Sequence, residues 1–172
     1  MRRILAFGAV AVCAALSLLG QTTGDKPVIK RGDAAQFAAP SAPGAPDCLY
    51  TSPAHGDPST GASTFLGKFD SGCTVPWHWH TANEDIFVQS GLFQVTAKGE
   101  KPIVIKSGDY AFMPARHIHQ AKCAGSKPCA FYVSLDGAFD IHYVDASGQE
   151  IPSDKALANV NKDVKKTPAS SY

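Results

Sequence analysis

Two histidine pairs and one carboxylate carry the chemistry that can be read in this sequence. His78-Trp79-His80 is followed by Thr81-Ala82-Asn83-Glu84, and a second pair, His117-Ile118-His119, comes later in the chain. On a strand, residues i and i+2 face the same side. His78 and His80 therefore point together, and Trp77 and Trp79 point to the other face. Glu84 lies four residues beyond His80, near enough to come round a bend and join them. Imidazoles and a carboxylate converging inside a barrel are the donor set of a divalent transition metal. A buried cluster of this kind without a cation would leave polar groups wanting partners. A single His-x-His is commonly an exposed or hydrogen-bonded pair, so it is the second pair and the Glu that give the pattern its weight.

The elements that must position these residues are short strands. The chain has 172 residues, about one domain's worth, with 44% apolar and 18% charged residues, 15 Gly and 12 Pro. Turn-dense, moderately apolar and low in charge, it reads as all-β, not as a disordered chain or a polytopic membrane protein. Short apolar alternations predict strands over 62–69, 74–80, 85–89, 91–97, 102–106, 109–114, 117–123, 129–135 and 139–145. Gly91, Lys98-Gly99-Glu100 and Ser107-Gly108-Asp109 supply turns between them. Strands at this spacing indicate a sandwich or barrel. The formal net charge is +1, so there is no basic field to attract nucleic acid.

Residues 1–22 read as a secretory signal peptide. Arg2 and Arg3 precede an apolar run from Ile4 to Leu19 that is short for a membrane span, and no stop-transfer pattern follows. Periplasmic or secreted protein with no membrane span after cleavage is the expectation. Those 22 residues carry two Arg and no acid, so the remaining chain has a net charge of −1. They also contain Cys13, leaving Cys48, Cys73, Cys123 and Cys129. An even number of cysteines in an exported chain makes disulfides the default. Three pairings are open. The Ala124-Gly125-Ser126-Lys127-Pro128 loop favours Cys123–Cys129, which leaves Cys48–Cys73; four free thiols are the alternative. Residues 23–58, with Pro27, Pro40, Pro43 and Pro46, read as an extended leader. Residues 59–148 read as the barrel and 149–172 as a polar tail with one helical stretch at 154–165.

The motif residues resemble those of the cupins. Gly72-x5-His78-x-His80-x3-Glu84-x6-Gly91 fits the first cupin motif at every fixed position, and Gly108-x5-Pro114-x4-His119 is similar to the second. Two positions depart: Arg116 stands where a Gly is usual and Cys123 where an Asn is usual. Gly137-x-Phe139-Asp140-Ile141-His142-Tyr143-Val144 resembles the closing strand of exported bacterial single-domain cupins. The resemblance covers about residues 60–145. It implies an all-β, single jelly-roll β-barrel with His78, His80, Glu84 and His119 as ligands to one divalent transition metal, Fe, Mn, Zn, Ni or Cu. Pairing of cupins through an outer sheet edge makes a homodimer part of the expectation.

The function expected from this site is metal-dependent chemistry on a small oxygen-rich organic substrate, of oxygenase, decarboxylase, isomerase or lyase type. Glu84, Tyr110 and His117 are the candidate acid–base residues. A rim role is the blander reading of His117. Tyr132 and His142 are further candidates, and His55, in a Pro/Gly stretch, reads as surface. A non-catalytic periplasmic metal- or small-ligand-binding protein is the alternative.

Overall fold

The strands form wherever apolar residues recur at every second position. Cys129–Leu135 shows the pattern most plainly, with Cys129, Phe131, Val133 and Leu135 buried and the residues between them half-exposed. The computed structural model describes residues 26–38 and 42–165. The strands are β1 (Leu49–Gly56), β2 (Ser63–Phe69), β3 (Thr74–Trp79), β4 (Glu84–Ser90), β5 (Phe93–Ala97), β6 (Ile103–Ile105), β7 (Tyr110–Met113), β8 (His119–Cys123), β9 (Cys129–Leu135) and β10 (His142–Tyr143). They make two five-stranded antiparallel sheets, one ordered β1-β2-β9-β4-β7 and the other β10-β3-β8-β5-β6. The architecture is the expected all-β jelly roll.

The core lies between the inner faces of the two sheets. Phe69 and Phe131 of one sheet meet Phe93 of the other, with ring centroids 4.7–5.5 Å apart. Gly67 makes this trio fit: a Cβ there would stand 2.5 Å from the Phe131 ring. Cys48–Cys73 and Cys123–Cys129 are both bridged, as the loop reading favoured. They sit side by side, because Cys123 N donates to Cys73 O across the start of the β3–β8 ladder. The strands bearing His78 and His119 are thus pinned at the same end.

Two segments differ from the sequence reading. Leu49–Gly56, within the expected leader, is the edge strand β1. Its Pro53 argues against a central strand, but an edge strand tolerates a missing ladder donor, and the register slips between Pro53 and His55. Ahead of it, Ala38 bridges to Thr51, and Phe37 lies against the Lys68 ammonium, 5.1 Å from Nζ to the ring centroid. At the other end, the helix expected over 154–165 is only α1 (Ser153–Leu157). Asn161 then replaces helix with a clamp, its side chain hydrogen-bonding Thr74 N and O at 2.8 Å each. The expected signal peptide, residues 1–22, lies outside the described residues. Among the described residues, no helix is long and apolar enough to cross a membrane.

Candidate metal centre

Each residue of the cluster owes its direction to its place in a strand. His78 lies near the end of β3 and His119 opens β8; they are direct partners in the antiparallel pairing. His80 follows β3 on the same side as His78. The β3–β8 register shifts between Val75 and His78, around Pro76, which has no N–H for the ladder. That irregularity lets Val75 and His78, three apart, both face inward. Glu84 opens β4 in the opposite sheet, where Glu84, Ile86 and Val88 are the buried positions. The site therefore bridges the two sheets.

The three imidazoles offer nitrogens within 4.8 Å of one another, and their residues are only 2–5% exposed. Their outer nitrogens are all committed. His78 Nδ1 donates to Pro76 O at 2.6 Å, His119 Nδ1 donates to His117 O at 2.9 Å, and His80 Nδ1 donates to Asp140 O. A carbonyl oxygen can only accept, so each Nδ1 carries the proton and each Nε2 keeps its lone pair. Glu84 Oε2 stands 3.5 Å from His119 Nε2 and 4.0 Å from His80 Nε2. Acceptors facing acceptors in a buried space need a cation, either a proton or a metal ion, among them. Three neutral imidazoles and a carboxylate fit a divalent transition metal.

The electrostatics agree with that use. Burial, then the charges of His119 and His80, hold His78 well below the ordinary histidine range, so it stays neutral and free to coordinate. Burial by itself would raise the Glu84 carboxyl. A proton on His119 or His80, by hydrogen bond and by charge, outweighs it and leaves Glu84 below the ordinary carboxylate value, so the carboxylate favours a cation beside it.

A ring of polar contacts holds the loops around the cluster. Asp140, whose carbonyl anchors His80, also receives Thr81 N at 2.8 Å and the Thr81 hydroxyl through its carboxylate. Asn83 bonds Asp136 through its backbone N (2.9 Å) and its amide (2.6 Å), and its Oδ1 accepts Ala115 N at 2.9 Å. The Pro114–His117 turn, closed by His117 N on Pro114 O at 3.0 Å, puts Arg116 at φ 61°. Glycine is favoured at that turn position. Here Arg116 is held by its N–H on His80 O at 2.8 Å and by its guanidinium 4.9 Å from the Trp79 ring centroid.

Of the residues expected at the site, His78, His80, His119 and Glu84 come together, and Tyr110 and His117 do not. Tyr110 alternates outward on β7, is 52% exposed, and donates to Asp85 on the outer face beside Phe87. The strand's parity excludes it, since Ala111 and Met113 take the inner positions. The side chain of His117 is exposed, and its part in the site is the carbonyl that orients His119. His142 stacks on Trp79 at 3.8 Å on the outer face, between Asp140 and Glu150. Tyr143 faces inward instead, its ring centroid 6.1 Å from that of His78 and its hydroxyl donating to Gly44 O. Asp140 and Phe139, whose ring lies 5.4 Å from that of His80, are site neighbours missed from the sequence. Both lie in the Gly137–Val144 segment, which was read only as a closing strand.

Residues 65–136 match the family described as Cupin domain. No curated protein matches the chain. Among solved structures it is similar to the DMSP lyase DddQ from Ruegeria pomeroyi, with a TM-score of 0.54 and 20% identity over 67% of this chain and 64% of that one. It is also similar to an RmlC-like cupin from Shewanella frigidimarina, with a TM-score of 0.54 and 18% identity over 67% of this chain and 95% of that one. KdgF from Halomonas sp. gives a TM-score of 0.51 and 18% identity over 64% of this chain and 94% of that one. The chain thus spans just under two thirds of the lyase. Likeness at these identities establishes the fold alone.

Proposed function

We propose that the barrel of this chain, which matches the Cupin domain family over residues 65–136, is a metal-dependent enzyme acting on a small oxygen-rich organic molecule. His78, His80, His119 and Glu84 are the proposed ligands of one divalent transition metal, Fe, Mn, Zn, Ni or Cu. The observation that carries this reading is the fixed tautomer. Three Nδ1–H groups anchored on carbonyls turn three Nε2 lone pairs toward one buried region beside a carboxylate. When bound, such an ion supplies Lewis acidity toward a carbonyl, carboxylate or enolate oxygen.

The protein's own groups do the rest. Glu84 is the carboxylate at the cluster, and its Oε2 takes a proton from the substrate and returns it. The side chain is 11% exposed, the most open of the four, so substrate approaches from its edge. The rings of Phe139 and Tyr143 beside His80 and His78 keep water from the histidines. Oxygenation, decarboxylation, isomerisation and lyase chemistry all fit such a site, and a lyase among the similar folds is in keeping with a small-molecule substrate. Two disulfides favour an oxidising location, periplasmic or secreted.

One observation favours a non-catalytic metal- or ligand-binding role: Tyr110 and His117 face away, which leaves Glu84 as the acid–base group at the cluster. The test is Glu84→Gln in metal-loaded protein, assayed against a panel of small acids and enols with and without oxygen. The enzyme reading expects much of the metal to be retained and turnover to fall by about 10²–10⁴-fold. Turnover that tracks metal occupancy reduces Glu84 to a ligand. A fully metallated parent that is inert across the panel supports the binding role.

A further inference from the structure

Beside the metal centre is a small cavity that the proposed chemistry does not use. It lies between the inner face of β1 and the loop before β10, has a volume of about 70 Å³, and is bounded by Leu49, Thr51 and Pro53 of β1 with Ala42, Pro58, Phe65 and Phe139. Its walls are almost wholly apolar, with no charged side chain among the lining residues. One wall is shared with the site: the Phe139 ring, which bounds the cavity on one side, also stands 5.4 Å from the His80 ring. Phe65 meets Phe139 edge-on at 6.3 Å, and Phe139 N donates to Pro58 O at 2.7 Å, so this wall is fixed on two sides.

We propose that this cavity is a subsite for the short apolar arm of a substrate whose oxygen-bearing head reaches the three-histidine cluster past the Phe139 ring. The inference rests on the metal reading of that cluster and narrows its substrate class. The ligand is a small carboxylic acid with an unbranched hydrocarbon arm, not a sugar or a polyhydroxy acid. Thr51 is the one polar side chain of the lining, so an arm carrying a hydroxyl on each carbon would lose its water and find too few partners among these walls. A space of 70 Å³ holds on the order of five carbon-sized atoms, taking about 10–15 Å³ for each water-sized occupant. The arm is therefore short, and chain length is what the subsite selects.

The experiment uses the cobalt(II)-loaded protein titrated with acetate, propionate, butyrate, pentanoate, hexanoate and octanoate. Binding is read from the cobalt absorption spectrum and by calorimetry. Affinity should climb by about three- to fourfold per methylene, the value for burying a CH₂, and level off once the cavity is full, near five or six carbons. In Ala42→Leu and in Leu49→Phe, two independent ways of filling the space, the gain per methylene should vanish in protein that still binds cobalt. If acetate shifts the cobalt spectrum but the series is flat, the subsite is overturned and the metal reading stands. A gain per methylene that survives both variants also overturns it, because the arm then lies elsewhere. If the protein binds no cobalt, the metal reading fails and this proposal fails with it.

Discussion

Glu84 Oε2 faces His119 Nε2 across 3.5 Å, from opposite sheets of the barrel, and neither atom has a proton to give. The pairing makes sense only around a cation. It also explains why the surroundings are so constrained. The β3–β8 ladder sets His78 opposite His119, while the first residue of β4 brings the carboxylate from the other side. A shift of one residue in any of these strands would turn its member of the cluster outward.

The Asp140 carbonyl is the anchor of His80, and its carboxylate fixes that carbonyl by holding Thr81. Asp140→Ala keeps the carbonyl but frees the loop that carries it. Metal affinity, measured by chelator competition, should fall by about 10–100-fold, the usual effect of losing a group that orients a ligand. Asp140→Asn, which can still accept from Thr81 N, should lose less. Unchanged affinity in the alanine variant would show that His80 is oriented by packing alone.

The convergence of the four proposed ligands was legible in the sequence because two strands and a bend have a simple parity. His78 and His80 had to share a face, and the Gly and Pro positions marked the turns that return His119 and Glu84 to it. What escaped depended on three-dimensional neighbours. Tyr110 looked available because its strand was clear but its inward residues were not; Ala111 and Met113 took that face. Strand β1 was hidden by Pro53, which only an edge position allows. Asp140 acts through a backbone carbonyl, and no side-chain pattern reveals that.

The two disulfides should differ in worth. Cys48–Cys73 closes a loop of 25 residues and Cys123–Cys129 one of 6. On loop-closure entropy these correspond to about 3.5 and about 2 kcal/mol. Chemical denaturation of the Cys48→Ala/Cys73→Ala and Cys123→Ala/Cys129→Ala variants measures the difference. An equal loss, or a larger one for the shorter loop, would mean that strain or packing outweighs chain entropy here. Protein recovered from the envelope should have no alkylatable thiol among these four.

Lys68 gives a pH dependence that can be signed. The residue is 1% exposed, and burial pushes its ammonium down to about 8, with Asp70 opposing. An unfolded lysine titrates near 10.4, so from about pH 8 upward the unfolded chain holds the extra proton. Stability should therefore rise with pH in that window, by up to about 1.4 kcal/mol per pH unit for one proton. Tyr50 reverses the trend. Burial and then Asp70 raise it to about 12, so above pH 10 the folded chain keeps a proton that the unfolded chain releases. Urea midpoints should peak at about pH 10, where the two slopes cancel. A steady decline from pH 7.5 to 9.5 would mean that the buried ammonium is fully compensated by its aromatic and acidic neighbours.

Three Nε2 atoms, set by three backbone carbonyls, are the proposed seat of the metal. Metal content after desalting, with affinity by chelator competition, tests this in the parent and in His78→Ala, His80→Ala, His119→Ala and the surface control His55→Ala. The parent and His55→Ala should retain about one ion per chain. Each of the other three should lose affinity by more than the roughly 100-fold upper range for an outer partner. A parent that holds no transition metal, or a His119→Ala variant that holds it as tightly as His55→Ala, would contradict the assignment.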